Sequence, residues 1–225
     1  MKFLIFSLSL LLTQSVFAKT IELGTANTVV FREVVSPDSV FRMQLQLLDL
    51  ISARGSKDYP IYLVMDCPGG DVYYGEQFIQ TVKMFKNVET VTIYAASMCS
   101  AIVQALPGNR LVTENGLMMF HRASGRFEGT FETGDVETQL KLWKDIILQL
   151  EDRTAKRISI SLEDFKNKIV NEWYVYGKNN LTEKTADKLV DLVCTEKLIK
   201  KKEKVFIEGL FGPQEITVSG CPLLR

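Results

Sequence analysis

Apolar and polar positions along the chain switch between helical spacing and unbroken strand-like runs. Val40, Met43, Leu47, Leu48 and Ile51 fall at helical spacing over Val40 to Ala53, with Gly55 as the breaker. Ile61-Tyr62-Leu63-Val64-Met65 is continuously apolar, as a strand buried on both faces should be, and leads into Pro68-Gly69-Gly70. A helix from Asp71 carries Val72, Phe78, Ile79, Val82 and Phe85 on one face. Val88 to Tyr94 is β-rich, and Ala95 to Leu106 reads as a helix stopped by Pro107-Gly108-Asn109. Leu117 to Phe120 reads as a strand after an Asn115-Gly116 turn. With the short strand Val29-Val30-Phe31 ahead of them, these segments alternate strand and helix across short joints. That pattern predicts an α/β fold built on right-handed parallel crossovers and a mainly parallel sheet.

Beyond this core, Gly134 to Arg157 predicts a long helix whose apolar stripe is Leu140, Trp143, Ile147 and Leu150. Left uncovered on a monomer, such a stripe marks association, so a homo-oligomer is expected. Ser161-Leu162-Glu163-Asp164 reads as the cap of a shorter helix reaching about Val170. After a basic run, Lys200-Lys201-Lys202, the segments Val205-Phe206-Ile207 and Ile216-Thr217-Val218 flank Gly212-Pro213 and predict a β-hairpin. The division expected is a leader over residues 1–18, one catalytic-type domain over 19–194, and a C-terminal basic segment with the hairpin over 195–225.

The leader is read from its own pattern. Met1-Lys2 precedes an apolar run from Phe3 to Leu12, and Val16 and Ala18 stand at the positions a signal peptidase reads. The run is shorter than the ~20 residues of a lasting membrane anchor. An exported bacterial protein, periplasmic or secreted and with no stable span after cleavage, is therefore expected. That compartment permits disulfides among Cys67, Cys99, Cys194 and Cys221. Cys194 and Cys221 bracket the tail and are candidates to tie it down. Cys67 and Cys99 are either paired or buried as small apolar side chains.

Composition narrows the chemistry. The chain has 225 residues, 46% hydrophobic and 24% charged, which excludes disorder and fibrous classes. Its 27 basic and 27 acidic side chains cancel, which argues against a nucleic-acid surface. With a single histidine, His121, a His-rich metal site is not expected, and neither is a cofactor.

In an open parallel sheet, binding and catalysis gather at the carboxyl ends of strands. Three such ends carry Pro68-Gly69-Gly70, Ala96-Ser97-Met98 and His121. Two glycines between strand and helix offer free backbone amides where an oxyanion can be stabilised. A serine at a helix start puts its hydroxyl beside another free amide, and imidazole is suited to take and return its proton. Each feature alone also has a bland reading, as a tight turn, a helix cap or a structural histidine.

Residues from about Val29 to Asp191 resemble the Clp protease proteolytic subunit and its relatives of the signal peptide peptidase A class. The resemblance is carried by Ile61–Met65 leading into Cys67-Pro68-Gly69-Gly70, by Ala95-Ala96-Ser97-Met98 and by Met118-Met119-Phe120-His121. Gly125-Arg126-Phe127-Glu128-Gly129 and Leu189-Val190-Asp191 add weaker support. The resemblance implies a Clp/crotonase-like superhelix of repeated β-β-α units, with Gly125–Gly129 and the following helix as an extended handle. It implies Ser97 as nucleophile, His121 as general base, and the Gly70 and Met98 amides as oxyanion donors. The third member falls on Glu172 when counted back from Asp191, with Asn171 beside it, and on Lys168 when counted forward from the Ser161 cap. Glu172 is favoured, while Lys168 would suggest a Ser–Lys dyad. The chain departs from the family in having Cys67 where a serine or threonine often precedes Pro-Gly-Gly. It also has Ile93-Tyr94 and Cys99 where glycines are usual.

The expectation is an exported, ATP-independent serine peptidase acting on peptides or unfolded proteins through an acyl-enzyme, without an AAA+ unfoldase. A non-catalytic peptide-binding or oligomeric scaffold is the alternative. A crotonase-type acyl-CoA enzyme is disfavoured outside the cytoplasm and leaves Ser97 and His121 without a task.

Overall fold

The structure is a computed structural model that describes residues 18–55, 59–125, 132, 134–209 and 212–224. Residues 1–17 of the expected leader and 126–129 of the expected handle strand lie outside the described residues. The expected α/β architecture is present. Its main sheet contains β1 (Lys19–Leu23), β2 (Thr28–Phe31), β3 (Ile61–Cys67), β4 (Val88–Ala96), β5 (Arg110–Phe120), β6 (Trp173–Tyr176) and β7 (Lys188–Cys194). The order is β1-β7-β5-β4-β3-β2, with β6 added onto β5. Every pairing is parallel except β5 with β6.

Both faces of this sheet are buried, which is why β3 reads as an unbroken apolar run. Ile61, Leu63, Met65 and Cys67 enter one core together with helices α1 (Pro37–Arg54), α2 (Val72–Lys83) and α3 (Met98–Ala105). Tyr62 and Val64 point to the other face, against Ile21, Leu23, Val91, Leu111, Val190 and Leu198. Strand alternation thus supplies two cores from one segment. Helix α1 starts at a reciprocal cap between Ser36 and Ser39 with Pro37 in its first turn. Helix α2 is capped by the Asp71 carboxylate, which accepts from the Tyr74 N–H at 3.0 Å.

The later elements follow the sequence pattern with four differences. First, Asn115-Gly116 is not a turn between strands but part of β5. The β4–β5 register jumps there, from Thr92↔Val112 to Tyr94↔Leu117. A Cβ on Gly116 would lie 2.5 Å from Val112 Cγ2 and 2.7 Å from the Thr92 carbonyl, so glycine permits the strand to bend and continue. Second, β4 runs on to Ala96 and α3 begins only at Met98, because the backbone reverses at Ser97. Third, the stripe on the long helix α4 (Asp135–Ile158) is only partly uncovered. Leu150 is buried against the core, Leu140, Trp143 and Ile147 are half-buried, and the apolar residues left most exposed, Val136, Leu142 and Leu148, lie off the stripe. Fourth, β1, β6 and β7 are strands that the sequence pattern did not place, although Trp173-Tyr174-Val175-Tyr176 and Leu189-Val190-Asp191-Leu192-Val193 are short β-rich runs.

Helix α5 (Leu162–Lys168) opens at the expected Ser161 cap, whose Oγ accepts from the Asp164 N–H at 3.0 Å. After the short helices α6 (Asn179–Thr182) and α7 (Glu196–Lys200), β8 (Lys202–Gly209) and β9 (Gly212–Ser219) form the expected antiparallel hairpin. Cys194 and Cys221 are disulfide-bonded across the tail. Arg32 donates to the Ser219 carbonyl at 2.9 Å and pairs with Glu203 at 3.2 Å, which seats the hairpin against the sheet. Among the described residues no helix is long and apolar enough to cross a membrane.

One polar cluster around the buried Arg110 side chain ties the start of β5 to the segment before β7. The Arg110 guanidinium donates to both Asp187 oxygens, at 2.6 and 3.2 Å, and to the Gln104 Oε1 at 2.5 Å. Burial alone would raise the Asp187 carboxyl. The side-chain and backbone hydrogen bonds from Arg110, with the charges of Arg110 and Arg157, outweigh it and hold the group below the ordinary carboxylate range. A depressed carboxyl contributes stability above its unfolded-state pKa and loses that contribution as pH falls through the folded value. Denaturant titrations of Asp187→Asn and wild type at neutral and acidic pH should therefore converge. The variant is the less stable at neutral pH, and the gap narrows on acidification.

Candidate active site

The carboxyl ends of β3, β4 and β5 lie side by side, and each delivers one element of the site. At the end of β4, Ser97 adopts φ 53° and ψ −121°, a left-handed geometry costly for a non-glycine residue. It makes the sharp strand-to-helix reversal that aims a side chain away from the sheet. The Ser97 N–H donates to the Met119 carbonyl at 2.8 Å, which anchors the reversal to β5. Its hydroxyl makes no capping bond to α3. Instead Ser97 Oγ lies 2.7 Å from Nε2 of His121, the residue immediately after β5.

The turn after β3 completes this edge. Gly69 and Gly70 have φ values of 99° and 140°, a region that favours glycine. A Cβ on Gly69 would sit 2.7 Å from both the Ala96 carbonyl oxygen and Ser97 Cβ, so no other residue permits the turn to come so close to Ser97. The turn is held from its far side, where the Val35 N–H donates to the Gly69 carbonyl at 2.7 Å and the Asp71 N–H to the Val35 carbonyl at 2.8 Å. Among the described residues, the N–H groups of Gly70 and Met98 have no acceptor. The Met98 N–H lies in the first turn of α3, where intrahelical partners are lacking.

The candidates for a third member stand apart from this pair. Trp173 is paired with Phe120 in the β5–β6 ladder, so Glu172 is the next residue out, level with His121 along the neighbouring strand. Its carboxylate accepts from the Tyr174 hydroxyl at 2.6 Å. That hydrogen bond, with the nearby charge, raises the Tyr174 phenol above its ordinary range. Among the described residues Ser97 is the one hydrogen-bond partner of His121. Asn171 is exposed. Lys168 is engaged elsewhere, 2.9 Å from Glu183 and 4.5 Å from the centre of the Trp173 ring.

Two features escape a reading of the sequence. Ser100 is fully buried, and its hydroxyl lies 2.7 Å from the Ala95 carbonyl and 2.9 Å from that of Met119. It bridges the strands that carry Ser97 and His121. The signal available was a serine inside an otherwise apolar helical turn. The second is a cavity of about 70 Å³ opening at Ser97 and His121, lined by Val72, Met98, Ala101, Phe120, Ile147, Leu150 and Phe165 with Glu151 and Thr154 at its wall. Residues Ile147 and Leu150 of the α4 stripe are thereby accounted for. Among the described residues no cluster of histidine, cysteine, aspartate and glutamate could hold a metal ion.

The Clp protease family model matches residues 17–196, which include every element of this site. The chain belongs to the Clp protease family. Over 175 residues it is 30% identical to the ATP-dependent Clp protease proteolytic subunit 1 of Prochlorococcus marinus subsp. pastoris, covering 75% of this chain and 83% of that one. It is 28% identical over 149 residues to the ATP-dependent Clp protease proteolytic subunit of Deinococcus radiodurans, covering 65% and 71%. With the ATP-dependent Clp protease proteolytic subunit 2 of a Synechococcus species it shares 34% over 130 residues, 56% of this chain and 62% of the relative's length. The last match thus spans less than two thirds of that Clp subunit.

Removing the Ser100 hydroxyl from beneath this Clp-type site breaks the bridge between two strand ends. Ser100→Ala should lower the free energy of unfolding by about 1–2 kcal/mol, read from urea denaturation followed by tryptophan fluorescence.

Proposed function

We propose that the protein is an exported, ATP-independent serine peptidase that hydrolyses peptides or unfolded segments through an acyl-enzyme on Ser97. The observation that carries this reading is the 2.7 Å contact between Ser97 Oγ and His121 Nε2, made at a strained reversal beside two amides that have no acceptor among the described residues. With Nε2 unprotonated, the imidazole takes the hydroxyl proton as Ser97 Oγ attacks the scissile carbonyl carbon. The carbonyl π electrons move onto oxygen, and the Gly70 and Met98 N–H groups receive that oxyanion. Collapse breaks the C–N bond, and the imidazolium returns its proton to the departing amine. Water, deprotonated by the same imidazole, then attacks the acyl-enzyme and releases the new carboxyl terminus with Ser97 restored.

The apolar cavity beside Ser97 favours an apolar side chain next to the scissile bond. Glu172 acts as the orienting carboxylate, reaching the far side of the imidazole once it leaves the Tyr174 hydroxyl. Substitution Glu172→Gln should lower kcat by about tenfold or more with KM little changed, measured by steady-state hydrolysis of a fluorogenic peptide.

Export is supported by the leader pattern and by the position of β1, which starts at Lys19 directly after the reading site at Ala18. Two disulfides suit the same compartment. Because no nucleotide is supplied there, the substrates are short or already unfolded, and no AAA+ unfoldase is required. Clp proteases bind peptides and form oligomers, and this chain is proposed to do both as a homo-oligomer.

One experiment tests nucleophile and export together. The protein is expressed with its leader in a bacterial host, and the periplasmic fraction is treated with a fluorophosphonate probe. The expected product begins at Lys19 and carries the adduct on Ser97, while Ser97→Ala is unlabelled and inactive. An adduct on another residue, or full peptidase activity in Ser97→Ala, overturns the catalytic assignment. A product confined to the cytoplasm with its leader intact overturns export.

A further inference from the structure

The two cysteines that distinguish this chain on either side of the site, Cys67 and Cys99, are bonded to each other. Cys67 is the last residue of β3, immediately before Pro68-Gly69-Gly70, and Cys99 is the second residue of α3, two positions after Ser97. Their Cα atoms are 6.2 Å apart, and both side chains are fully buried. The bond therefore joins the turn that carries one free amide to the helix start that carries the other. We propose that the Cys67–Cys99 disulfide is a positioning clamp for the Gly70 and Met98 amides, so that full peptidase competence is reached only once this bond has formed. The inference rests on the peptidase reading above.

The argument turns on what else holds the turn in place. The hydrogen bonds of Pro68–Gly70 outside the sheet, among the described residues, run to the Val35 side, away from α3, while Cys67 just before them is laddered to Ala95. Among the described residues, no hydrogen bond joins Pro68–Gly70 to Ser97–Ser100. What the turn meets on the α3 side is contact, with the Gly69 backbone packed against Ala96 and Ser97. Such contact resists closer approach but not withdrawal; the β3–β4 ladder restrains the turn only as far as Cys67↔Ala95, and the covalent bond is what joins it to α3 itself. Two amides serving one oxyanion must keep their spacing within a fraction of an ångström, and a misplacement near 1 Å costs about 10²-fold in rate. Cys67 and Cys99 thus act as positioning residues and touch no reacting atom.

Formation of the bond is balanced by a dithiol–disulfide oxidant. The two thiols give up two protons and two electrons, and the oxidant's disulfide leaves as two thiols. Since both sulfurs are buried, the exchange belongs to folding and is not a toggle on the finished protein. A chain folding in a reducing compartment would be present but catalytically poor, and oxidation during folding after export would complete it.

The test compares Cys67→Ala/Cys99→Ala and Cys67→Val/Cys99→Ala, the latter refilling lost volume, with wild type and with Cys194→Ala/Cys221→Ala. For both of the first pair we expect kcat lower by about 10²-fold, KM little changed, and fluorophosphonate labelling of Ser97 slowed by the same factor. Near-UV circular dichroism should report a folded chain, and either single substitution should cost as much as the double, since each removes the same bond. The Cys194/Cys221 variant should keep wild-type kcat, which separates positioning from a general effect of losing a disulfide. A folded Cys67/Cys99 double variant with wild-type kcat and labelling rate overturns the clamp. If neither double variant folds, wild type refolded with and without a disulfide oxidant decides. Turnover that waits for the oxidant supports the clamp, and equal turnover overturns it. A wild-type protein unlabelled at Ser97 defeats the peptidase reading, whereas labelled wild type with indifferent variants defeats the clamp alone.

Discussion

A parallel sheet covered on both faces has little room for unsatisfied backbone groups except where its strands stop. Within the sheet, ladders consume the N–H and C=O groups, and the two apolar cores exclude water. At the carboxyl ends of β3, β4 and β5 the chain must turn into loops or helices, and the first turn of each helix brings amides that nothing inside the helix can accept. Those amides, and the side chains standing among them, are the polar resources this architecture offers. The Gly69-Gly70 turn, the reversal at Ser97 and the position of His121 all occupy that edge. What would be a defect anywhere deeper in the sheet becomes a site there.

Holding such an edge in shape requires groups that do no chemistry. Ser97 keeps its unfavourable backbone geometry because its N–H is tied to Met119 and because Ser100, one turn on, reaches both strand ends below it. Gly69 allows the neighbouring turn to come within contact of Ser97, and Val35 fixes that turn from behind. Phe120, Phe165 and Trp173 pack ring against ring beneath His121, with centroids 5.2 to 6.4 Å apart, so the strand end that presents the imidazole rests on a stiff aromatic support.

Much of this was legible in the chain, and the reasons differ from element to element. The continuous apolar run of β3 and the glycines after it announced a buried strand and an exposed amide turn, because each depends on local composition. The Ser161 cap and the hairpin around Gly212 were legible for the same reason. Ser97 and His121 could be named as separate strand-end residues, and the 2.7 Å contact between them is the work of the sheet. By contrast β6 and β7 are β-rich runs too short to stand out before their partners are known, and Gly116 looked like a turn because a bend inside a strand and a turn between strands use the same residue. Whether Cys67 and Cys99 were bonded could not be read either, since it depends on the 6.2 Å separation that only the assembled β3 and α3 define. The stripe on α4 had the right period, but periodicity identifies a face and not what covers it: Leu150 enters the core while Leu140, Trp143 and Ile147 stay half-buried.

The longest strand of the molecule changes its companion midway. Up to Thr113, β5 lies beside β7, and from Leu117 onward it lies beside β6, with the flexure at Gly116 between the two stretches. The outer margin, where β1 lies beside β7, thus borders the first stretch of β5, and β6 borders the stretch that ends at His121. β4, which pairs with both stretches, is therefore the strand that links the β1–β7 margin to the edge bearing Ser97 and His121.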